Sequence, residues 1–382
     1  MASKDVYKDL CKYYEFTLGA LPMRDELKRA MQDTVTPEEL DAFFLLPFAG
    51  PITQDRLEKK ARKAKIPFEN LRARLDRLAS EGYVLSYDTP DGPAYERGNP
   101  IFMTEQQVRK QEDTPRRTTY ARFFDTVMER SSGAVPTKTP YYRVLPVEST
   151  LTKETQSRTV VVDEVIPDPG GVLPIDVISD MIRKDTTLAG VAECYCRKTK
   201  RIVGEGCDYP LETCLVFNQL AQTLIENGFA RQIDLEEALD IIWQCEKAGL
   251  VHNVDNCMAE IQSLCNCCPC CCAVLKTWAR GQTNAGAPSR YVVAYDADLC
   301  TLCEACISRC PTDARAIQDG RMTINAAACL GCGLCVSACQ QGANHMVPRD
   351  AQTKIPKTRS ELYGKIGREA IVGIVKNRIL GR

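Results

Sequence analysis

The chain has 382 residues, 44% of them hydrophobic, with a formal net charge of -1. That length allows about two or three cored domains, and the charge balance provides no global field to draw in nucleic acid or an anionic membrane. No apolar run approaches the roughly 20 residues that span a bilayer, and Met1 to Leu10 carries Lys4, Asp5, Lys8 and Asp9 without a secretory pattern, so the expected location is cytoplasmic.

The first hundred residues read as helices ending in a hairpin. Thr36, Pro37 and Glu39 form a capping sequence ahead of Phe43, Phe44, Leu45 and Leu46. Thr53 can start a basic helix carrying Arg56, Lys59, Lys60, Arg62 and Lys63, and Pro67 opens a third with Leu71, Leu75 and Leu78 on one face and Gly82 at its end. Two strands, Tyr83 to Tyr87 and Ala94 to Arg97, then flank the turn residues Asp88 to Pro93. This order predicts a winged-helix-like domain over residues 1–113. A winged helix serves either DNA or protein partners, and Asp55, Glu58, Glu69, Asp76 and Glu81 dilute the basic face, which favours protein over DNA.

Residues 114–185 are rich in Pro, Thr and Val, with Ile166 to Gly171 strongly turn-forming, and read as an extended connector. Residues 186–285 form a cysteine-rich region with two expected helices. One runs from Leu211 to Asn227, and the other follows the capping pair Asp234 and Glu237 and stops at Gly249. The stretch Gly281 to Ser289 reads as a hinge. A tail over residues 349–382 contains Leu362, Ile366, Ala370, Ile374 and Val375 among basic residues and reads as a docking helix.

The outlying number is 21 cysteines beside 2 histidines. Under reducing conditions disulfides are disfavoured, so dense thiolates call for a soft metal, and the scarcity of histidine argues against zinc sites of the Cys/His type. Near the C-terminus, Cys300, Cys303, Cys306 and Cys310-Pro311 follow C-x2-C-x2-C-x3-C-P, and Cys329, Cys332, Cys335 and Cys339 repeat the spacing. Ala316-Ile317, Asp319-Gly320 and Met322 to Ile324 form a hairpin pattern between the runs.

Residues 290–348 therefore resemble a bacterial-type dicluster ferredoxin. The resemblance implies two 4Fe-4S clusters in a βαβ-repeat module, with crossed ligation: Cys300, Cys303, Cys306 and Cys339 on the first cluster, and Cys329, Cys332, Cys335 and Cys310 on the second. The second run ends in Gln340 where that family has proline, which restores a backbone amide able to tune a cluster potential. Arg309 and Arg315 read as solvated charges.

Of the remaining cysteines, Cys11, Cys214 and Cys245 read as small buried hydrophobes. Cys194, Cys196, Cys207, Cys257, Cys265, Cys267, Cys268, Cys270, Cys271 and Cys272 are candidates for at least one additional iron–sulfur cluster, with Cys194 and Cys196 sharing it with a 265–272 loop that Pro269 keeps from being helical. The doubled cysteines resemble, over a few residues, the motifs of heterodisulfide-reductase-like proteins. His252 reads as a hydrogen-bonded structural histidine, and Arg197, Lys198, Lys200 and Arg201 as either a solvated basic loop or a neutralising patch.

Together these features predict an α+β fold with a winged-helix-like start, a helical cysteine-rich middle and a ferredoxin-type end. Three functions stay open, in this order: an electron-transfer protein of anaerobic metabolism serving redox partner proteins, an iron–sulfur oxidoreductase using the central site, and a redox-sensing DNA-binding regulator.

Overall fold

In the computed structural model, which describes residues 5–48, 50–110, 114–130, 137–151, 176–259, 261–281, 286–349 and 354–379, Thr36 and Glu39 close the expected capping box on the helix Pro37–Leu45. The architecture is mixed α and β. It divides into two compact units: Met1–Ala134, Leu188–Glu212 and Val216–Asp234 form one, and Val135–Thr187, Thr213–Leu215 and Leu235–Arg382 form the other.

The first unit begins with helices Val6–Leu18, Arg24–Gln32, Pro37–Leu45, Gln54–Ala64 and Phe68–Ser80. Strands Val84–Thr89 and Gly92–Arg97 follow, paired antiparallel from Val84↔Arg97 to Thr89↔Gly92, with Ile52 bridging Tyr95. The turn is tighter than its Pro and Gly content predicts, because Gly92 takes a φ of 99° and lets pairing continue to the tip. Leu10, Tyr14, Leu27, Met31, Leu40, Phe43, Leu71, Leu75 and Tyr83 share one buried core. Gly82, with φ +76°, ends the helix Phe68–Ser80 where a Cβ would fall 2.2 Å from Gln106 Cβ, so the position admits glycine alone.

The span expected to be an extended connector is only partly so. Pro115–Arg130 is a helix, begun by a proline where no N–H is needed, and Tyr120, Phe123 and Val127 recur on its buried face. Tyr120 and Tyr83 join their hydroxyls at 2.6 Å inside the core. Tyr142–Leu145 is a strand and Ile178–Asp185 a second helix, while Ile166 to Gly171 lies outside the described residues.

The cysteine-rich middle is not the helical region expected. The predicted helix from Leu211 splits into a strand, Glu212–Phe217, and a shorter helix, Asn218–Glu226, because Thr213, Val216 and Phe217 favour extended backbone. Cys214 therefore lies on a strand. The helix Leu235–Ala248 forms as predicted and stops at Gly249, φ +86°.

In the second unit, Tyr142–Leu145 lies between Val251–Asp255, antiparallel, and Gly286–Ala287, parallel. Val251–Asp255 pairs in turn with Ser263–Cys267, from Val251↔Cys267 to Val254↔Leu264. The expected hinge thus contributes an edge strand. Further along, Tyr291–Tyr295 pairs antiparallel with Asn344–Pro348, and Arg315–Gln318 with Arg321–Ile324 across Asp319 and Gly320. The final helix, Arg359–Ile379, buries Leu362 and Ile366 beside Cys257, and Glu369 accepts hydrogen bonds from Lys138 N, Thr139 N and Thr139 Oγ1 at 2.7–2.8 Å. Among the described residues no helix is long and apolar enough to cross a membrane.

Candidate metal centres

Each four-cysteine run leaves its short C-x2-C-x2-C loop through one turn of helix, Ala305–Ser308 in the first and Leu334–Ser337 in the second. The second loop is held close. Gly331 has φ +66°, and a Cβ there would lie 2.0 Å from Tyr291 O, so the loop backbone lies directly against the strand Tyr291–Tyr295.

One cavity in the module is lined by Cys310, Cys329, Cys332 and Cys335, together with Arg315, Gly331 and Met346. The structure thus brings Cys310, from the first run, to three cysteines of the second. Cys306 is buried in the same apolar cluster as Cys329 and Cys335, with Cys300 at its edge, while Cys303 is exposed and Cys339 half-buried. Backbone N–H groups point at sulfur: Ala314 N lies 3.3 Å from Cys310 Sγ and Gly331 N 3.4 Å from Cys329 Sγ. Burial pushes the Cys335 thiol up to about 12 and raises that of Cys332 too. Such groups ionise only beside a strong cation such as iron.

Arg315 is no solvated charge, contrary to its sequence reading. It is buried; Nη2 lies 3.5 Å from Cys306 Sγ and donates to Asn344 Oδ1 at 2.6 Å, and Asn344 Nδ2 donates to Cys335 O at 3.0 Å. Its Nε and Nη1 find no protein partner among the described residues. A buried guanidinium with unspent donors is costly unless it faces an anion, and thiolate-bound iron–sulfur groups carry net negative charge. The residues present therefore fit such a group. Arg309 is not free in solvent either: it donates to Glu246 O and Lys247 O, capping the helix that ends at Ala248. Spacing gives no signal for either arginine, since Arg309 is an unspecified position between Cys306 and Cys310 and Arg315 lies beyond the run.

The other candidates are divided between the two units. In the first unit, Cys194 N-caps the helix Tyr195–Ile202, Cys196 is buried on it, and Arg201 holds the Cys207 loop by donating to Cys207 O and Tyr209 O. The basic run is not a solvated loop: it lies on that helix, and of its four cations only Arg201 is exposed. Lys198 donates to Arg109 O at 2.9 Å and pairs with Glu193, Lys200 pairs with Asp125 and Glu205 at 2.7 Å, and Arg197 is wholly buried. Burial alone would depress Lys200, but its carboxylate partners leave it raised.

In the second unit, Cys257 packs with Leu362, Ile366 and Tyr141, its thiol donating to Ala259 O. Cys265 and Cys267 lie on a strand, two residues apart and so on one face. Cys272 caps the helix Ala273–Ala279, and the Cys267 thiol is within hydrogen-bonding reach of both Cys265 and Cys272, contacts that with burial raise it far above the ordinary range. Cys268, Cys270 and Cys271 form a separate group whose sulfurs lie within 4.8 Å of one another. His252, on the other face of its strand, is the structural histidine expected. Its Nδ1 donates to Asn266 Oδ1 at 2.7 Å, Asn266 Nδ2 donates to Thr213 O, and burial lowers it to about 4.

Residues 292–347 match the family described as a 4Fe-4S dicluster domain. Over 124 residues the protein is 27% identical to the B subunit of polysulfide reductase from Wolinella succinogenes, a likeness covering 29% of this sequence and 60% of that protein. The match thus spans less than two thirds of that relative. No solved structure matches it.

Proposed function

We propose that the protein is an iron–sulfur electron carrier of anaerobic metabolism that passes electrons between partner proteins through two 4Fe-4S clusters, with a further cluster in the cysteine-rich region. The observation that carries this is the cavity where Cys310 joins Cys329, Cys332 and Cys335, since a crossed fourth cysteine is what a two-cluster pattern requires and a paired-knuckle zinc site does not. By the same reading Cys300, Cys303, Cys306 and Cys339 hold the other cluster. Held so, the clusters would supply one-electron transfer.

The protein's own part is to fix and insulate. Tyr291, Val293, Met322 and Met346 exclude water around the cysteines, the amides of Ala314 and Gly331 disperse negative charge on sulfur, and Arg315 favours the reduced state. The likeness to a polysulfide reductase subunit supports placement beside a redox partner. The helices and hairpin of residues 37–97 we assign to a winged-helix-like domain that docks protein. The helix Gln54–Ala64 mixes Asp55 and Glu58 with its cations, and Lys60 is spent on Leu45 O, which speaks against DNA.

Anaerobic purification with iron and sulfide quantitation, followed by electron paramagnetic resonance of the reduced protein, tests the reading. Two interacting 4Fe-4S signals plus a third are expected. Zinc without sulfide would overturn it.

A further inference from the structure

We infer that Cys265, Cys267 and Cys272 are the protein ligands of the further iron–sulfur centre, that Asn253 faces that centre, and that it lies beside the loop carrying Cys332. The inference rests on the proposed presence of a further cluster and assigns its site.

The strand register carries the argument. In an antiparallel pair, directly opposite residues share a face. Asn253 is opposite Cys265, Val251 opposite Cys267, and Val144 opposite Asn253. These five residues therefore line one face, with His252 and Asn266 on the other. With Val144, Val251 and Cys267 of that face, Cys272, Leu275 and Trp278 and also Leu330, Cys332 and Leu334 form a single buried cluster. Two main-chain ties hold the loop there: Val147 N donates to Cys332 O at 2.9 Å, and Ser289 N to Leu330 O at 2.9 Å.

Asn253 points to a ligand independently of the thiols. It is 1% exposed, and neither its amide nitrogen nor its amide oxygen has a partner among the described residues. Leaving both unpaired in an apolar layer is costly, so asparagine persists here only if something in the layer engages it.

The chemistry of the donor set selects iron–sulfur over the other choices. A disulfide between Cys265 and Cys267 is disfavoured because residues two apart on a strand hold their Cα atoms roughly 6.6–6.8 Å apart, at the limit of disulfide geometry, and any pairing leaves one thiol over. Zinc prefers four donors of Cys or His type, and His252 lies on the opposite face. Three thiolates with a carboxamide suit an iron–sulfur cluster with one iron not bound by cysteine. The shared layer with Cys332 places that centre next in line to the cluster assigned to Cys310, Cys329, Cys332 and Cys335.

The full-length protein, prepared anaerobically, tests this with Cys267→Ser, Asn253→Ala and Cys270→Ser variants. Wild type is expected to hold more than the roughly eight irons of two 4Fe-4S clusters. Cys267→Ser should fall to that number while keeping the two ferredoxin signals, and Cys270→Ser should lose no iron. Asn253→Ala should keep its iron and change only the third paramagnetic signal, and this variant decides the matter if Cys267→Ser fails to fold. Wild type with only eight irons would sink the further cluster altogether. A full third signal in Cys267→Ser, an unchanged third signal in Asn253→Ala, or loss of iron in Cys270→Ser would overturn the assignment while leaving the further cluster standing.

Discussion

Replacing Arg315 by glutamine should lower the potential of at least one cluster in the dicluster domain of residues 292–347. The side chain keeps much of its length and a donor but loses its charge, so the contacts to Cys306 Sγ and Asn344 change less than the field. A unit charge about 7 Å from the added electron, at an effective dielectric near 20, contributes roughly 2.4 kcal/mol. For a one-electron couple that is about 100 mV, since a tenfold change in equilibrium corresponds to about 59 mV and 1.4 kcal/mol. The sign is fixed: reduction adds negative charge, the guanidinium stabilises it, and its removal makes the cluster harder to reduce. Asn344 ties Arg315 to Cys335 O, so the second cluster should respond as well, to a lesser degree. Protein-film voltammetry of wild type, Arg315→Gln and Arg315→Lys would measure this, with lysine restoring most of the loss. Couples of Arg315→Gln within about 15 mV of wild type, with both clusters intact, would refute the electrostatic role.

Cys306→Ala should remove the first cluster and Cys310→Ala the second, although both belong to one run; paramagnetic spectra showing loss of the same cluster in both would defeat crossed ligation. Tyr120→Phe takes from the buried Tyr83 hydroxyl one of its two partners, leaving it Thr34, and should destabilise the first unit by about 1 kcal/mol, read from denaturant midpoints, with Thr119→Val, which removes only an exposed bond to Pro115 O, as the milder control. His252 is held near 4, below the ordinary 6.5, so neutral His252 stabilises the fold above pH 6.5 and that stability is lost as pH falls from about 6.5 toward 4. Relative to His252→Gln, the wild type should lose roughly 3 kcal/mol across that window, and parallel pH profiles would count against the burial of the neutral ring.

How much of this is legible in the sequence depends on whether the signal is local. The capping box at Thr36, the stop at Gly249 and the Asp319-Gly320 turn are readable because each is settled within four residues. The module's cysteines are readable for the same reason. The strand Glu212–Phe217 reads as helix because an apolar run of that length fits either periodicity. The helix Pro115–Arg130 is hidden by its Pro and Thr content, although its buried face repeats regularly. Arg315 and Asn253 carry no motif at all. Their significance comes from burial and from what lies opposite, and neither can be read from spacing. Within residues 265–272 the sequence makes no division among the cysteines, and the register Asn253↔Cys265 and Val251↔Cys267 is what tells Cys265 and Cys267 apart from their neighbours.

The pairing of Tyr291 with Pro348 has a consequence for how such a protein can be rebuilt. The two ends of the module sit side by side, so the whole segment enters and leaves its host at one point, as an insert in a surface loop does. A segment with adjoining ends can be exchanged for a homologous one without moving the rest of the fold. Leu330 and Leu334 limit that freedom, because they complete an apolar layer with Val144, Val251 and Trp278 that the host cannot close alone. A donor module would graft successfully only if it brought apolar side chains at those two places. A module chosen on its cysteines alone would assemble its own clusters and leave the host with an open seam.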